Sequence, residues 1–202
     1  MKRISYSLRL AIVGEKDSNK EIFNSYLEQI ALESQIIDGL TEHFLIYKTI
    51  PIKIKVSMAE HLEDLLDYCT YDDTFEAILI VVNIYNMKIL KEYRNTQFQE
   101  FKKALSFQGL TILTGIDTYS LDEREYNEEP RVLEFKLREK TKELNFIYCF
   151  EIKNKDEDLS ELINTLLDES LFKFQYSSPD LYEHAKVYGT ELLDRMDSNK
   201  DL

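Results

Sequence analysis

Residues 14–21 have the spacing of a phosphate-binding loop. Such a loop consists of Gly, any four residues, Gly-Lys and then Ser or Thr. The second Gly lets backbone amides approach the phosphates, the Lys reaches the terminal phosphates, and the hydroxyl holds magnesium. Gly14 and Lys20 are in place, whereas Asn19 and Glu21 replace the second Gly and the hydroxyl. The segment therefore has the lysine that would contact a phosphate and lacks the hydroxyl that would hold magnesium. The alternative interpretation of Lys20 is a solvated side chain at the start of a helix.

The elements that would position this loop alternate between strands and helices. Residues 8–13 predict a buried strand ending at Gly14, and apolar positions three and four apart predict a helix over residues 20–32. Two β-rich runs, residues 43–50 and 51–58, predict an antiparallel hairpin whose turn is marked by Pro51. Further strands are predicted over 75–82, 110–113 and 145–152, and further helices over 62–69, 87–105, 131–144 and 159–171.

This alternation predicts an α/β fold with helices on both faces of a mostly parallel sheet. We expect about six strands, with the hairpin as the one antiparallel edge and residues 8–13 near the centre. Ligands of such sheets bind beyond the carboxyl ends of the strands, so the loop after residue 13 is the first place to expect chemistry.

The chain is predicted to divide into a main domain, residues 1–172, and a C-terminal extension, residues 173–202. Ser178 is suited to cap a helix there, and Pro179 is suited to its first turn. An apolar stripe on this amphipathic helix consists of Leu181, Ala185, Tyr188 and Leu192. The stripe either packs back on the domain or binds a partner.

In the order and placement of its motifs, the chain resembles the Ras-like small GTPases over roughly residues 8–171. Thr41 lies near the place of the family's first switch threonine. Residues 57–60 (Ser-Met-Ala-Glu) align with its Asp-x-x-Gly, and His61 aligns with its catalytic Gln. Residues 114–117 (Thr-Gly-Ile-Asp) align with the guanine-reading motif, and residues 151–153 (Glu-Ile-Lys) align with the final Ser-Ala-Lys. A receiver-like domain would instead need an acidic pair after its first strand, where Val13 and Gly14 stand.

The resemblance implies a three-layer P-loop GTPase-like fold with a degraded site. Glu21 replaces the magnesium hydroxyl, Ser57 replaces an Asp that holds magnesium through water, and Glu60 replaces a Gly that contacts the γ-phosphate. Loss of the magnesium contacts, with added negative charge, opposes phosphoryl transfer, which depends on charge neutralisation. We therefore expect no catalytic residue, no metal and no cofactor. Were GTP or GDP nevertheless bound with magnesium, the resemblance implies contacts from Gly14, Lys20, Thr41, Thr114, Asp117 and Lys153.

The charge of the chain narrows the possible partners. The 202 residues include 25 basic and 38 acidic side chains, a net charge of -13. Nucleic-acid binding requires cations to neutralise phosphates, so we expect no nucleic-acid partner. Neither a signal-peptide pattern nor a lipidation box is recognisable, which predicts a cytoplasmic location and no direct lipid anchor.

Three functions are compatible with these residues. The first is a pseudo-GTPase that acts as a constitutive protein-interaction or scaffold module. The second is a divergent GTP- or GDP-binding switch with slow hydrolysis, and the third is a structural subunit of a larger complex. For protein partners we expect the hairpin region, residues 38–66, and the C-terminal helix to provide the contacts, with the candidate interface residues Leu40, Phe44, Tyr47, Met58, Leu181 and Tyr188.

Overall fold

The computed structural model describes residues 4–37, 40–68, 74–117 and 134–198. Within them lie seven strands: β1 Tyr6–Val13, β2 Glu33–Ile37, β3 Leu40–Tyr47, β4 Ile50–Ala59, β5 Ala77–Asn83, β6 Leu110–Ile116 and β7 Tyr148–Ile152. The same part of the chain forms six α-helices: α1 Glu21–Ile30, α2 Met87–Glu92, α3 Asn95–Ala104, α4 Glu134–Glu143, α5 Lys155–Ser177 and α6 Pro179–Ser198. Short 3-10 turns span Lys16–Ser18 and Glu63–Tyr68.

The strands form one mixed sheet in the order β2-β3-β4-β1-β5-β6-β7. Strand β1 pairs in parallel with β4 and β5, so the predicted central position of residues 8–13 is confirmed. Strand β3 is antiparallel to both of its neighbours and is the one described strand that runs against the others. The predicted α/β class and mostly parallel sheet are confirmed, with seven strands where about six were expected. The edge on this side is β2, and the hairpin lies inside it.

Helices cover both faces of the sheet and create two hydrophobic cores. On one face, α1 and α5 bury apolar residues of β1, β4 and β5, together with Leu27, Leu162 and Leu166. On the other face, α2, α3, α4 and the second 3-10 turn cover Val13, Ile80 and Leu113. Apart from Arg9, which is itself buried, the residues from Leu8 to Val13 are apolar towards both layers, so this part of β1 lies where both cores meet the sheet.

The additional strand is β2, in a segment between the predicted first helix and the hairpin for which no strand was predicted. Helix α1 ends at Ile30, and the chain then pairs with β3, placing Gln35 opposite Glu42. All five residues of β2 are exposed. An edge strand covered on neither face lacks the alternation of apolar and polar residues by which strands are recognised.

The hairpin turn does not lie at Pro51, as predicted from the sequence. Strand β3 ends at Tyr47 and β4 begins at Ile50, so the turn residues are Lys48 and Thr49. Their φ angles are 47° and 68°, the left-handed values that a two-residue hairpin turn requires. Neither residue is Gly or Asn, so the sequence carried no turn signal, and Pro51 instead lies within β4, opposite Ile46.

Helix α6 packs back on the main domain through part of its stripe. Ala185 is completely buried, and a Cβ on Gly189 would lie 1.8 Å from the Thr49 carbonyl oxygen, so the helix backbone contacts the hairpin turn directly. Leu181 remains exposed. The predicted division between residues 172 and 173 falls inside α5.

The remaining helices differ from prediction mainly at their boundaries. The segment predicted as one helix over 87–105 consists of two, α2 and α3, separated by Tyr93 and Arg94. Residues 131–133 of the predicted helix over 131–144, and Asp38 and Gly39 of the predicted interface region, lie outside the described residues.

Candidate functional site

The carboxyl ends of the parallel strands bring together most of the residues expected to contact a nucleotide. The loop beginning at Gly14 follows β1, Asp117 follows β6, and Lys153 follows β7. Thr114 lies near the end of β6 and pairs with Val81 of β5. Because Val13 pairs with the residue before Val81, Thr114 lies one residue beyond the level at which β1 ends. The structure therefore places these groups, with Lys20 at the start of α1, along one edge of the sheet.

Thr41 does not join this group. It lies inside β3, opposite Val56, which in turn pairs with Leu10 in the middle of β1. Strand β4 lies between Thr41 and β1, and neighbouring strands are about 4.8 Å apart. Thr41 is therefore two strand spacings from β1, at the level of Leu10 and not at the edge where β1 ends. The switch threonine was expected in a loop, and here the segment is held in a strand by pairing on both sides.

The loop after β1 is folded upon itself. The Ser18 amide donates to the Glu15 carbonyl at 3.0 Å, and its hydroxyl donates to the same oxygen at 2.6 Å. A Cβ on Gly14 would lie 2.5 Å from Ser18 Oγ and 2.6 Å from the Val81 carbonyl oxygen, so Gly14 permits a close approach that no other residue allows. The Ser18 hydroxyl therefore packs against Gly14, the first residue of the phosphate-loop pattern.

Asn19 takes the backbone geometry that a glycine usually provides. Its φ and ψ are 57° and 32°, in the left-handed region, at the position aligned with the second Gly of the phosphate loop. Asn tolerates this region better than most residues that carry a side chain. The change from Gly to Asn thus preserves the turn and adds a side chain beside it.

Lys20 is directed into the loop. The residue is only 5% exposed, and Nζ donates to the carbonyl of Gly14 at 2.5 Å. The alternative of a solvated lysine at the start of a helix is therefore wrong. The ammonium group instead satisfies a backbone acceptor of its own loop.

Carboxylates surround the mouth of the loop. Glu21 is the first residue of α1 and is exposed, so its charge lies at the positive end of the helix dipole, where a phosphate would otherwise be favoured. Glu60 Oε1 lies 3.6 Å from Lys16 Nζ, an exposed pair. The Asp17 carboxylate accepts a hydrogen bond from Asn86 Nδ2 at 3.2 Å, which anchors the loop to the turn after β5.

The other two charged groups of the expected nucleotide site also have protein partners. Asp117 is 4% exposed, and its Oδ1 accepts a hydrogen bond from the Tyr85 hydroxyl at 3.2 Å. Lys153 Nζ lies 3.1 Å from Glu151 Oε2. Thr114 is different, because its buried hydroxyl finds no hydrogen-bond partner among the residues that the structure describes.

Two residues align with the Asp that holds magnesium and with the catalytic Gln of the small GTPases, namely Ser57 and His61. Ser57 is buried in β4, opposite Ala11 of β1. His61 is exposed, and its backbone amide donates to Asp64 Oδ2 at 2.9 Å, which starts the second 3-10 turn. Within the described residues, no group of three or more His, Cys, Asp or Glu side chains is arranged to hold a metal ion.

The candidate interface residues fall on both faces of the sheet. Tyr47 and Met58 are partly buried against the core beneath α1 and α5. Leu40 pairs with Ile37 of β2, and Leu181 is exposed on α6. Phe44 and Tyr188, expected on two separate surfaces, line one cavity of about 560 Å³.

This cavity, here the α6 cleft, lies between α6 and strands β2 to β4. Its lining consists of Ser5, Glu33, Gln35, Glu42, His43, Phe44, Lys53, Tyr188 and Leu192. The strand register arranges its floor in two cross-strand rows, Glu33–Phe44–Lys53 and Gln35–Glu42–Lys55. The sequence placed Phe44 and Tyr188 among the candidates but gave no sign that they meet, because residues 144 positions apart are joined only by the packing of α6.

Glu42 is the buried charge of this floor. Its carboxylate lies 3.2 Å from Lys53 Nζ and 3.5 Å from Lys55 Nζ. Burial opposes its ionisation, but the hydrogen bonds and charges of the two lysines outweigh burial and hold the pKa of Glu42 below its ordinary value. The alternation of Lys53 and Lys55 was visible in the sequence, whereas their shared partner was not.

Sequence reasoning missed one buried polar cluster, formed around His43. Nε2 of the imidazole lies 3.0 Å from Asn24 Oδ1 of α1, and Nδ1 lies 2.8 Å from Ser34 Oγ of β2. Burial lowers the pKa of His43 below its ordinary value, with Glu28 acting in the opposite direction. In the neutral ring, Nε2 donates to Asn24 and Nδ1 accepts from Ser34, so His43 connects the edge strand to the first helix.

Comparison with known proteins gives no family for this chain. No protein-family model matches it, and no curated protein matches it either. Across the described ranges, none of the helices has the length and apolar character needed to cross a membrane.

Proposed function

We propose that this chain is a pseudo-GTPase: a Ras-like, P-loop GTPase-like domain whose nucleotide site is degraded and whose surface binds other proteins. The observation that carries the proposal is the closed loop after β1. Lys20 donates to the Gly14 carbonyl, and the Ser18 hydroxyl packs against Gly14, so that groups of the loop contact one another. The expected guanine-reading carboxylate, Asp117, accepts a hydrogen bond from Tyr85.

Electrostatics at the mouth of the loop supports the same proposal. A bound triphosphate would meet Glu21 and Glu60 in place of a hydroxyl and a glycine. Two like charges about 4 Å apart repel by roughly 4 kcal/mol at an effective dielectric constant of about 20. The proposed domain therefore works without nucleotide or magnesium and does not hydrolyse GTP.

A second candidate function is a divergent switch that binds GTP or GDP with magnesium. It is favoured by two observations: Asn19 retains the left-handed geometry of the motif, and the buried Thr114 hydroxyl is unpartnered within the described part of the chain. Lys20 and Asp117 already have protein partners, the Gly14 carbonyl and the Tyr85 hydroxyl, with which a nucleotide would compete. This competition opposes binding, which is why we place this candidate second.

Nucleotide content and affinity separate the two candidates. We expect protein purified without added nucleotide to release no guanine nucleotide on heating, and a fluorescent GDP analogue to show no saturable binding with magnesium. In the double variant Asn19→Gly, Glu21→Ser we expect measurable binding, because a side chain and a charge are removed from the loop. Lys16→Ala, which changes an exposed side chain of the same loop, is the matched control. Stoichiometric nucleotide in the purified wild type would rule out the pseudo-GTPase.

The proposed role is a constitutive contact with other proteins in the cytoplasm. These partners include the other subunits of a larger complex, where the chain belongs to one. With no γ-phosphate to order it, the segment from β2 to β4 keeps one conformation. The α6 cleft supports this role because it combines the side chains of Phe44, Tyr188 and Leu192 with charged residues beside a sheet edge. We propose no nucleic-acid partner.

A further inference from the structure

The α6 cleft has an unequal distribution of charge across its floor. Glu42 is neutralised by Lys53 and Lys55, at 3.2 Å and 3.5 Å. Glu33, at the outer end of the other row, lies opposite Phe44 and forms no ion pair with any described residue. Among the described residues of the cleft, Glu33 is therefore the carboxylate without a cationic partner, and it lies where the aromatic floor reaches the edge of the sheet.

Strand β2 is an open edge. It is the last strand on its side of the sheet, so its outer backbone groups face no other described strand. Ile36 is 78% exposed, and Leu32 and Ile37 are exposed beside it. Edge strands of natural proteins are commonly protected by Lys, Pro or a bulge, and β2 contains neither Lys nor Pro. This edge is suited to pairing with another extended segment.

Resting on the proposed function, we propose that the β2 edge and the α6 cleft together bind an extended partner segment that carries a lysine or arginine. The segment adds a strand beside β2, and its alternate side chains point to opposite faces of the enlarged sheet. Apolar side chains on one face cover Ile36. A cationic side chain on the other face enters the cleft, pairs with Glu33 and lies beside Phe44 and Tyr188, whose rings attract a cation.

Charge complementarity decides between this occupant and a second copy of the chain. Two copies each carry a net charge of -13, and β2 offers a carboxylate and no cation to its counterpart. Self-pairing would therefore leave Glu33 without a cation and would bring two acidic surfaces together. A basic segment provides the missing charge and is attracted to the surface as a whole.

The test uses three synthetic peptides of identical length. The probe is acetyl-Ser-Val-Arg-Val-Thr-Val-Ser-amide, and the comparison peptides carry Glu or Pro in place of Arg. Binding to the full chain is measured by titration calorimetry, and the place of binding by amide hydrogen exchange. We expect the Arg peptide to bind at least about fivefold more tightly than the Glu peptide. We also expect it to slow exchange at residues 32–37.

Two charge variants locate the contact. Glu33→Gln should weaken binding of the Arg peptide about fivefold and should not weaken binding of the Glu peptide. Glu161→Gln, an exposed residue of α5, removes the same charge away from the cleft and should leave both affinities unchanged. Neither change removes a described ion pair, so both variants are expected to fold.

Three outcomes would overturn the proposal: absence of binding by the Arg peptide, equal binding of the Arg and Glu peptides, or unchanged affinity in Glu33→Gln. Sedimentation equilibrium tests the second copy, because a dimer that disappears in Ile36→Lys would assign the edge to self-association instead. The nucleotide measurements are independent. A nucleotide-free protein that ignores the peptide contradicts the cleft proposal alone, whereas a nucleotide-loaded protein contradicts the pseudo-GTPase.

Discussion

At the scale of single residues, Lys20 contacts the protein backbone from the position at which the phosphate-loop pattern has a ligand-binding lysine. Lys20 occupies the phosphate-contacting place of the motif, but its ammonium group is buried against the Gly14 carbonyl. A buried backbone acceptor that loses its donor carries its full desolvation penalty. The contact of Lys20 therefore stabilises the loop without any nucleotide.

This role predicts a loss of stability in Lys20→Ala. The variant removes a buried, charge-assisted hydrogen bond, so the free energy of unfolding should fall by about 2 kcal/mol. Lys16→Ala, which removes an exposed ion pair with Glu60, should change it by less than about 0.5 kcal/mol. Urea unfolding followed by circular dichroism measures both. Equal stability of the two variants would show that the Lys20 contact contributes nothing.

His43 is the second residue with a specific consequence, a dependence of stability on pH. Ser34 of β2, and Asn24 and Glu28 of α1, are the polar and charged groups that act on its ring. Burial holds its folded pKa below the value of about 6.5 that the unfolded chain shows. Below that pH, the unfolded state binds a proton that the folded state does not.

The His43 contribution to stability should therefore be complete above about pH 6.5 and should be lost as the pH falls towards the lowered folded pKa. We expect urea midpoints measured between about pH 7.5 and 5 to decrease, and this decrease to be smaller in His43→Gln. His184→Gln, an exposed residue of α6, is the control and should keep the slope of the wild type. An identical slope in all three proteins would contradict the assignment.

At the scale of elements, α6 is held by a contact that only a glycine allows. The position of a Cβ on Gly189 would lie 1.8 Å from the carbonyl oxygen of Thr49 and 2.9 Å from Cδ of Pro51. The opposing atoms include the backbone of the hairpin turn, which cannot rotate aside as a side chain would. Helix α6 and the hairpin are thus matched in shape, and the α6 cleft depends on that match.

Gly189→Ala should therefore destabilise the protein although it favours the isolated helix. Alanine gains about 1 kcal/mol over glycine inside a helix. Overpacking against a fixed neighbour typically removes about 1–3 kcal/mol, so we expect a net loss of about 1 kcal/mol. Lys186→Ala, an exposed position one turn earlier, should be neutral or slightly stabilising. Thermal unfolding checks the sign, and a raised midpoint in Gly189→Ala would show that α6 moves freely away from the turn.

At the scale of the whole molecule, the net charge of -13 opposes compaction. Described ion pairs such as Lys16–Glu60 and Lys48–Asp168 are exposed and offset little of this repulsion. Much of the surface therefore consists of carboxylates that repel one another. The same field would attract a basic partner and repel a second copy of the chain.

Added salt should stabilise the protein. Raising sodium chloride from about 0.01 M to 0.15 M shortens the screening length from about 30 Å to about 8 Å, which weakens the long-range repulsion more than the short contacts. We expect the thermal midpoint to rise over this range. Lys20→Ala and wild type should shift by similar amounts, because the Lys20 contact is buried. A midpoint that falls with salt would mean that exposed ion pairs outweigh the repulsion.

The sequence by itself determined the α/β class, the central position of β1 and the loop that follows it. Long apolar runs such as residues 77–82 identify buried parallel strands because burial on both faces demands apolar side chains throughout. The residue types at positions 21 and 57, Glu and Ser, were equally visible, and the proposed degradation of the site depends on them. Each of these features depends on neighbours along the chain.

Only the tertiary structure decided where the side chains of the candidate site find their partners. Lys20 was open between a phosphate contact and a solvated residue, and its burial against the Gly14 carbonyl excludes the solvated one. Strand β2 forms because β3 offers it an edge, and the α6 cleft exists because Gly189 brings α6 onto the hairpin turn. Pairing and packing between distant segments depend on three-dimensional fit, which leaves no periodic signal in the sequence.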